Sequence, residues 1–176
     1  MKIPFNRPFV DEKEAQAAYD TVMSGWITTS KKTEEVEQKI ADYTGAKHCI
    51  LLTSGTAALH LSLEYLKRFK LNNRFRVLTP SLTFAATATE VINSGGELIF
   101  GDVDEESRCL IRPKNIDFDV AVPVHLYGVK ARTDYDCLVI EDSAHLIQKN
   151  QCKDNPNLVC FSFYSTKNIT MGEGGA

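Results

Sequence analysis

Six short apolar runs constrain the fold of this chain more than any other feature: His48–Leu52, Arg76–Leu78, Glu97–Phe100, Asp119–His125, Cys137–Ile140 and Leu158–Phe163. Several are apolar at every position instead of every second one. Alternation marks a strand with one face on water, whereas unbroken apolarity marks a strand covered on both faces, as in a parallel α/β sheet. The intervening segments read as helices. Thr56 to Lys70 sets Leu59, Leu63 and Leu66 on one stripe, and Phe84 to Asn93 is rich in Ala and Thr and stops before Gly95-Gly96. Two further helices precede the first run: Asp11 to Ser24, ended by Gly25, and Lys31 to Tyr43, with Val36, Ile40 and Tyr43 on one face and Gly45 beyond. A β-α-β-α-β order predicts an α/β fold with a mostly parallel open sheet and helices, whose ligands bind beyond the carboxyl ends of the strands.

Composition narrows the function. With 20 Lys+Arg against 23 Asp+Glu, the net charge is -3, so the chain lacks the basic footprint that draws a protein to nucleic acid. The 176 residues include 43% hydrophobic ones, enough for one core of reasonable depth and too many for a disordered segment. No apolar stretch is long enough for a membrane span, and the first residues lack the apolar centre of a signal peptide. The five cysteines are odd in number and have no metal-site spacing; Cys49, Cys137 and Cys160 sit inside apolar runs. A reducing, cytoplasmic setting with no metal site is expected.

Three segments just past strand ends carry the chemistry. Thr53-Ser54-Gly55-Thr56-Ala57-Ala58-Leu59 opens a helix with small residues, where free backbone amides and the helix dipole suit a phosphate. Its plain alternative is an N-cap with a tight turn. Cys137-Leu138-Val139-Ile140-Glu141-Asp142 ends a strand in two acids, only one of which can face a given site. Such an acid binds metal, orients a base, pairs with a cationic ring nitrogen, or simply caps a helix or meets solvent. Phe161-Ser162-Phe163-Tyr164-Ser165-Thr166-Lys167-Asn168 places one lysine after a buried strand, before Gly172-Glu173-Gly174-Gly175. Partly desolvated, Lys167 serves as nucleophile or base; otherwise it is an ordinary surface lysine. Together, a phosphate cradle, a strand-end carboxylate and a lysine are the parts a pyridoxal 5'-phosphate site needs.

With Gly25-Trp26-Ile27-Thr28, Pro123-Val124-His125-Leu126-Tyr127-Gly128 and Glu141-Asp142-Ser143-Ala144, these segments make the chain resemble the DegT/DnrJ/EryC1/StrS sugar aminotransferases, fold-type I enzymes of the aspartate aminotransferase superfamily, in motif order and across nearly the whole chain. The resemblance implies the large-domain fold of those enzymes and pyridoxal phosphate as cofactor. It makes Lys167 the Schiff-base lysine and proton carrier, and Asp142 the partner of the pyridine nitrogen. Ser162 and the amides of Gly55, Thr56 and Ala57 become the phosphate ligands, and Phe84 the aromatic stacked on the ring. His145 falls where the family usually has Gln, near the phenolic oxygen. The implied reaction moves an amino group from L-glutamate to a keto group of a nucleotide-linked sugar, in a homodimer. A dehydratase branch has His in place of the lysine, so Lys167 favours transamination.

Two departures stand out. The connection from Val129 to Asp136 is short for a parallel crossover, and Phe100 to Asp119 shows no helical stripe, so thin cover is expected on one sheet face. Ala176 falls where the family's next strand begins, so residues 1–176 are expected to form an N-terminal arm and an incomplete large domain, without the small C-terminal domain. The competing readings are a non-catalytic remnant that keeps the fold and binds the cofactor without turnover, and a pyridoxal-phosphate enzyme of another reaction type, such as an amino-acid lyase.

Overall fold

The computed structural model describes residues 2–4, 6–72 and 74–176. Its elements run α1 (Glu12–Met23), α2 (Lys31–Thr44), α3 (Gly55–Phe69), β1 (Arg76–Pro80), α4 (Ala85–Asn93), β2 (Glu97–Gly101), β3 (Val120–Ala121), β4 (Leu138–Asp142) and β5 (Leu158–Cys160). The strands form one sheet in the order β2-β1-β3-β4-β5, with every neighbouring pair parallel. The open parallel α/β sheet expected from the apolar runs is the sheet observed. The chain steps from β1 outward to β2, then returns to the other side of β1 as β3. That reversal makes the crevice in which such sheets bind ligands.

Local signals fix the helix ends. Asp11 accepts from the Lys13 amide while Glu14 accepts from the Asp11 amide, a reciprocal capping box for α1. Ser54 caps α3, and α2 stops at Gly45, whose φ of 74° costs a glycine little. α1 stands on its caps alone: none of its side chains is buried.

Alternation along the strands divides the core. Val77, Val120, Ile140 and Cys160 face Leu59, Leu63 and Leu66 of α3 and Val91 of α4. Leu78, Ala121 and Val139 face the opposite side, against Leu110, Tyr135 and Phe118. Each fully buried aliphatic side chain contributes about 1.5–3 kcal/mol. The second face is therefore covered by loop residues and not by helices. The sheet positions beneath are buried, but Phe100, Ile111 and Val129 at the rim remain exposed.

Three strand expectations need correction. His48–Leu52 is not a strand of the sheet; among the described residues its ladder contact is one antiparallel bridge, Leu52 to Gly175. Its backbone partner lies far along the sequence, so an apolar run alone could not reveal how little pairing it has. The run Asp119–His125 shrinks to Val120–Ala121, because Pro123 brings no N–H to the ladder, although Val124 and Asp142 still bridge. Leu158–Phe163 ends as a strand at Cys160. Beyond it, Phe161 and Phe163 direct their amides to the carbonyls of Ala176 and Gly174. The expectation of a short crossover at Val129–Asp136 is corrected: the full β3–β4 connection, residues 122–137, exceeds the dozen or so residues a parallel crossover needs, and its one helical element is a 3-10 turn, Leu126–Gly128.

Candidate functional site

Two of the chemistry-bearing segments emerge at the carboxyl ends of β4 and β5, and the third, the start of α3, packs against the segment after β5. At the start of α3, the Ser54 hydroxyl accepts the Ala57 amide at 3.0 Å, and the Ser54 carbonyl accepts the Ala58 amide at 3.2 Å. The Gly55 and Thr56 amides have no acceptor among the described residues. Of the three amides expected to bind an anion, Ala57 is therefore engaged by the cap, while Gly55 and Thr56 are available. Gly55 packs directly on Ser162: a Cβ there would lie 2.9 Å from the Ser162 Cβ. Glycine is required for the α3 turn to approach the segment after β5 this closely.

Residues 174–176 run between these two segments. Leu52 and Gly175 exchange amide-to-carbonyl bonds of 2.8 and 2.9 Å, and the Phe161 amide reaches the Ala176 carbonyl at 2.7 Å. Gly175 bridges both Leu52 and Ser162 in the antiparallel sense. The cradle is thus stitched from three pieces of chain.

At the end of β4, successive side chains diverge. Asp142 follows Ile140 onto the α3–α4 face, is 5% exposed, and accepts from the Thr87 hydroxyl of α4 at 2.8 Å and the Ala144 amide at 3.1 Å. Because Thr87 donates to the carboxylate, Thr83 must donate in their 2.8 Å contact. The Thr87 amide in turn reaches the Phe84 carbonyl, so α4 ties Asp142 to the turn carrying Phe84, whose ring is 74% exposed.

Lys167 lies on the turn after β5, its amide held by the Tyr164 carbonyl at 2.9 Å. Its ammonium has no hydrogen-bond or ion-pair partner among the described residues. Burial lowers its pKa from the ordinary lysine value, and the Asp142 carboxylate pulls it partly back. With Tyr127, Gly128, His145, Thr166 and Asn168 it lines an open cleft of about 370 Å³. His145 accepts the Tyr127 amide on Nδ1 at 3.2 Å, so the proton of the neutral ring is on Nε2. The Tyr127 ring stacks on it at 6.0 Å. Burial first, then the Lys167 ammonium, lower the His145 pKa, with Asp142 opposing them.

Glu141 points the other way. Its Oε2 pairs with His125 Nε2 at 2.9 Å, and its Oε1 accepts from Asn155 and Asn157 at 2.8 Å each. Burial pushes its carboxyl up, but the bonds from His125, Asn157 and Asn155 outweigh burial and hold it below the ordinary glutamate value of 4.5. The unfolded chain therefore takes up this proton first. The stabilisation is whole above pH about 4.5 and is lost as pH falls through the lower folded-state value. In urea unfolding, the advantage of the natural chain over Glu141→Gln is expected to be flat above that pH and to shrink below it. Parallel curves at all pH values would contradict the pairing.

Of the residues expected from the sequence, Gly55 packs on Ser162, and His145 and Lys167 line the cleft under the influence of the Asp142 carboxylate; Thr87, Tyr127, Thr166 and Asn168 were not among those expected. Thr87 had no signal beyond an Ala- and Thr-rich helix. Tyr127 stood in a motif that the reading used only for resemblance. The five cysteines are all free, no group of metal-ligating side chains occurs among the described residues, and no described helix is long and apolar enough to cross a membrane.

A sequence model of the DegT/DnrJ/EryC1/StrS aminotransferase family matches residues 8–176. The chain is 32% identical to the spore coat polysaccharide biosynthesis protein SpsC of Bacillus subtilis, over 98% of this chain and 48% of that protein. It is 34% identical to the UDP-4-amino-4-deoxy-L-arabinose–oxoglutarate aminotransferase of Shewanella sediminis, with the same coverage. Among solved structures it resembles Spr1654 of Streptococcus pneumoniae, assigned as a sugar aminotransferase and solved in its PMP form. There the TM-score is 0.81 and the identity 26%, across 99% of this chain and 52% of that one. The chain thus spans about half the length of the relatives it matches.

Proposed function

The chain belongs to the DegT/DnrJ/EryC1/StrS aminotransferase family, and from that membership we propose that it builds the cofactor-binding part of a pyridoxal-phosphate-dependent sugar aminotransferase. The observation that carries this reading is that the start of α3, whose Gly55 and Thr56 amides lack acceptors among the described residues, packs on the segment after β5 that carries the partly buried Lys167, while the buried Asp142 carboxylate at the end of β4 acts on that lysine.

These residues suit the cofactor. The Gly55 and Thr56 amides and the Ser162 hydroxyl offer donors to a phosphate, at a point where a Cβ on Gly55 would close the gap. Asp142, held by Thr87 and Ala144, presents a fixed carboxylate to a ring nitrogen and keeps that nitrogen protonated. When bound, pyridoxal phosphate supplies an electron sink for charge developing beside the transferred nitrogen. Lys167, its ammonium disfavoured by burial, would hold the cofactor through Nζ, and the same Nζ would serve as the base that takes and returns the proton of the substrate carbon. His145 would offer its Nε2–H to the phenolic oxygen, and Phe84 would offer its exposed ring to one face of the cofactor.

The finer parts of the proposal follow the relatives. The Shewanella protein is named for oxoglutarate, the product glutamate leaves after giving up its amino group, which supports L-glutamate as donor. Its UDP-sugar name, and the polysaccharide role in the Bacillus name, support a nucleotide-linked keto sugar as acceptor. Residues 1–176 then act as an arm and part of the large domain of a cytoplasmic homodimer, a reading supported by the uncovered Tyr19, Val22 and Met23 of α1 and the free thiols.

Purified protein mixed with pyridoxal phosphate is expected to show a visible absorption band that borohydride makes permanent, with the label mapping to Lys167. L-Glutamate should bleach the unreduced band. Folded protein without a band would overturn the cofactor reading. A band indifferent to L-glutamate and other amino donors would leave a binder without turnover.

A further inference from the structure

The buried pair His125 and Glu141, 0% and 1% exposed at the side chain, has no part in the chemistry above, yet its bonds lead to the wall of the cleft. His125 Nδ1 accepts the Ala131 amide at 3.0 Å. A backbone amide only donates, so Nδ1 is unprotonated and Nε2–H donates to Glu141. Asn155 and Asn157 hold Glu141 from the other side. The imidazole is therefore anchored, and it ties residue 131 back to residue 125.

The segment closed in this way is strained. Tyr127 (φ 55°) and Gly128 (φ 81°) follow one another in the left-handed region, which is unfavourable for tyrosine. Besides the bonds within the 3-10 helix Leu126–Gly128 itself, residues 126–131 make three hydrogen bonds among the described residues: Val129 amide to Leu126 carbonyl, Tyr127 amide to His145 Nδ1, and Ala131 amide to His125. The first lies inside the turn and the second is the link to the cleft. Only the third fastens the far end of the segment to the sheet.

We propose that His125 is a positioning residue: by accepting the Ala131 amide, it holds residues 125–131 in the turn that places the Tyr127 amide on His145 Nδ1, and so sets which nitrogen of His145 offers a proton to the cleft. The consequence for cofactor binding rests on the functional reading above; the geometry does not.

Two substitutions separate the two ends of the ring. Asn puts its carbonyl oxygen close to the place of Nδ1 and has no donor reaching Glu141. Gln puts its amide nitrogen close to the place of Nε2 and has no acceptor at Ala131. Amide hydrogen exchange is read at Ala131 and Tyr127 relative to Val77 and Leu78 of β1, which removes any change in global stability. His125→Gln is expected to speed exchange at both loop amides by about tenfold or more, the loss of one hydrogen bond. It should also let the His145 ring nitrogens average between tautomers in 15N spectra. His125→Asn should leave both readouts near those of the natural chain.

Equal loss in both variants, or loss in Asn alone, would overturn the proposal, because the ring would then act through Glu141 or by filling space. If either variant fails to fold, the natural chain decides: 15N spectra must show His125 as the Nε2–H tautomer with a coupling across the bond from the Ala131 amide, and its absence overturns the proposal. Pyridoxal phosphate affinity is measured in parallel and should weaken in His125→Gln alone. No binding by the natural chain would count against the cofactor reading, while the exchange pattern still decides the positioning role.

Discussion

Replacing Lys167 by alanine is expected to remove both the borohydride-fixed label and transamination, with turnover falling by about a thousandfold or more, since the proposed function gives this side chain both the covalent attachment and the proton transfer. The fold should not follow. What the chain uses of Lys167 for structure is its amide, bonded to the Tyr164 carbonyl, and alanine keeps that bond. The side chain has no partner among the described residues, so truncation leaves no orphaned group behind. Relief of a partly desolvated ammonium offsets whatever packing its stem contributes. The measurement is a pair: turnover with L-glutamate and the keto sugar, and unfolding by urea. Lost turnover with an unchanged midpoint is the expected result. Retained turnover would remove Lys167 from the chemistry, and joint loss of both would make it structural.

Gly175→Ala is expected to produce the largest loss of stability of any change considered for this chain, about 3 kcal/mol or more, because the clash is with main chain on a neighbouring segment. A methyl group there would run into the Ser54 carbonyl and stand 2.5 Å from the Gly55 nitrogen. Neither segment can yield, since Leu52 and Ser162 grip Gly175 from both sides. Gly25 is the control. It has a φ of +74° with open space around it, so alanine costs only the backbone strain, about 1 kcal/mol. Urea unfolding of both variants checks the contrast, and similar losses would show that the close approach at Gly175 is not rigid. The damaged variant should also hold phosphate analogues less well, because the Gly55 amide moves with the clash.

How much of this could be read from the residues depended on how local each signal is. Capping pairs such as Asp11 with Glu14, and stops such as Gly45, act within a turn of the chain, so helix ends were legible to within a residue or two. Strand pairing is not local. The apolar run ending at Leu52 has the composition of a strand, but its ladder partner is Gly175, and nothing near Leu52 announces that. Alternation put Glu141 and Asp142 on opposite faces, and the structure has them so. It could not say that Glu141 would bond a histidine before the strand and two asparagines after it. Thr87 was hidden for the same reason: its role exists only once α4 lies across the end of β4.

The cradle at Gly175 also sets a clock. Chains fold as they emerge from the ribosome, amino end first. The α3 amides are synthesised early and Ser162 much later, and the residues that lock Leu52 against them come later still. Contacts so distant in sequence form slowly, after local helices and the β1–β2 pair have taken shape. A nascent chain therefore passes through a stage in which α3 is helical and its leading amides point into water, uncommitted. Capture of an anion at those amides would report the docking of residues 174–176 between Leu52 and Ser162, not the appearance of secondary structure. A pulse of pyridoxal phosphate during refolding would accordingly time that docking.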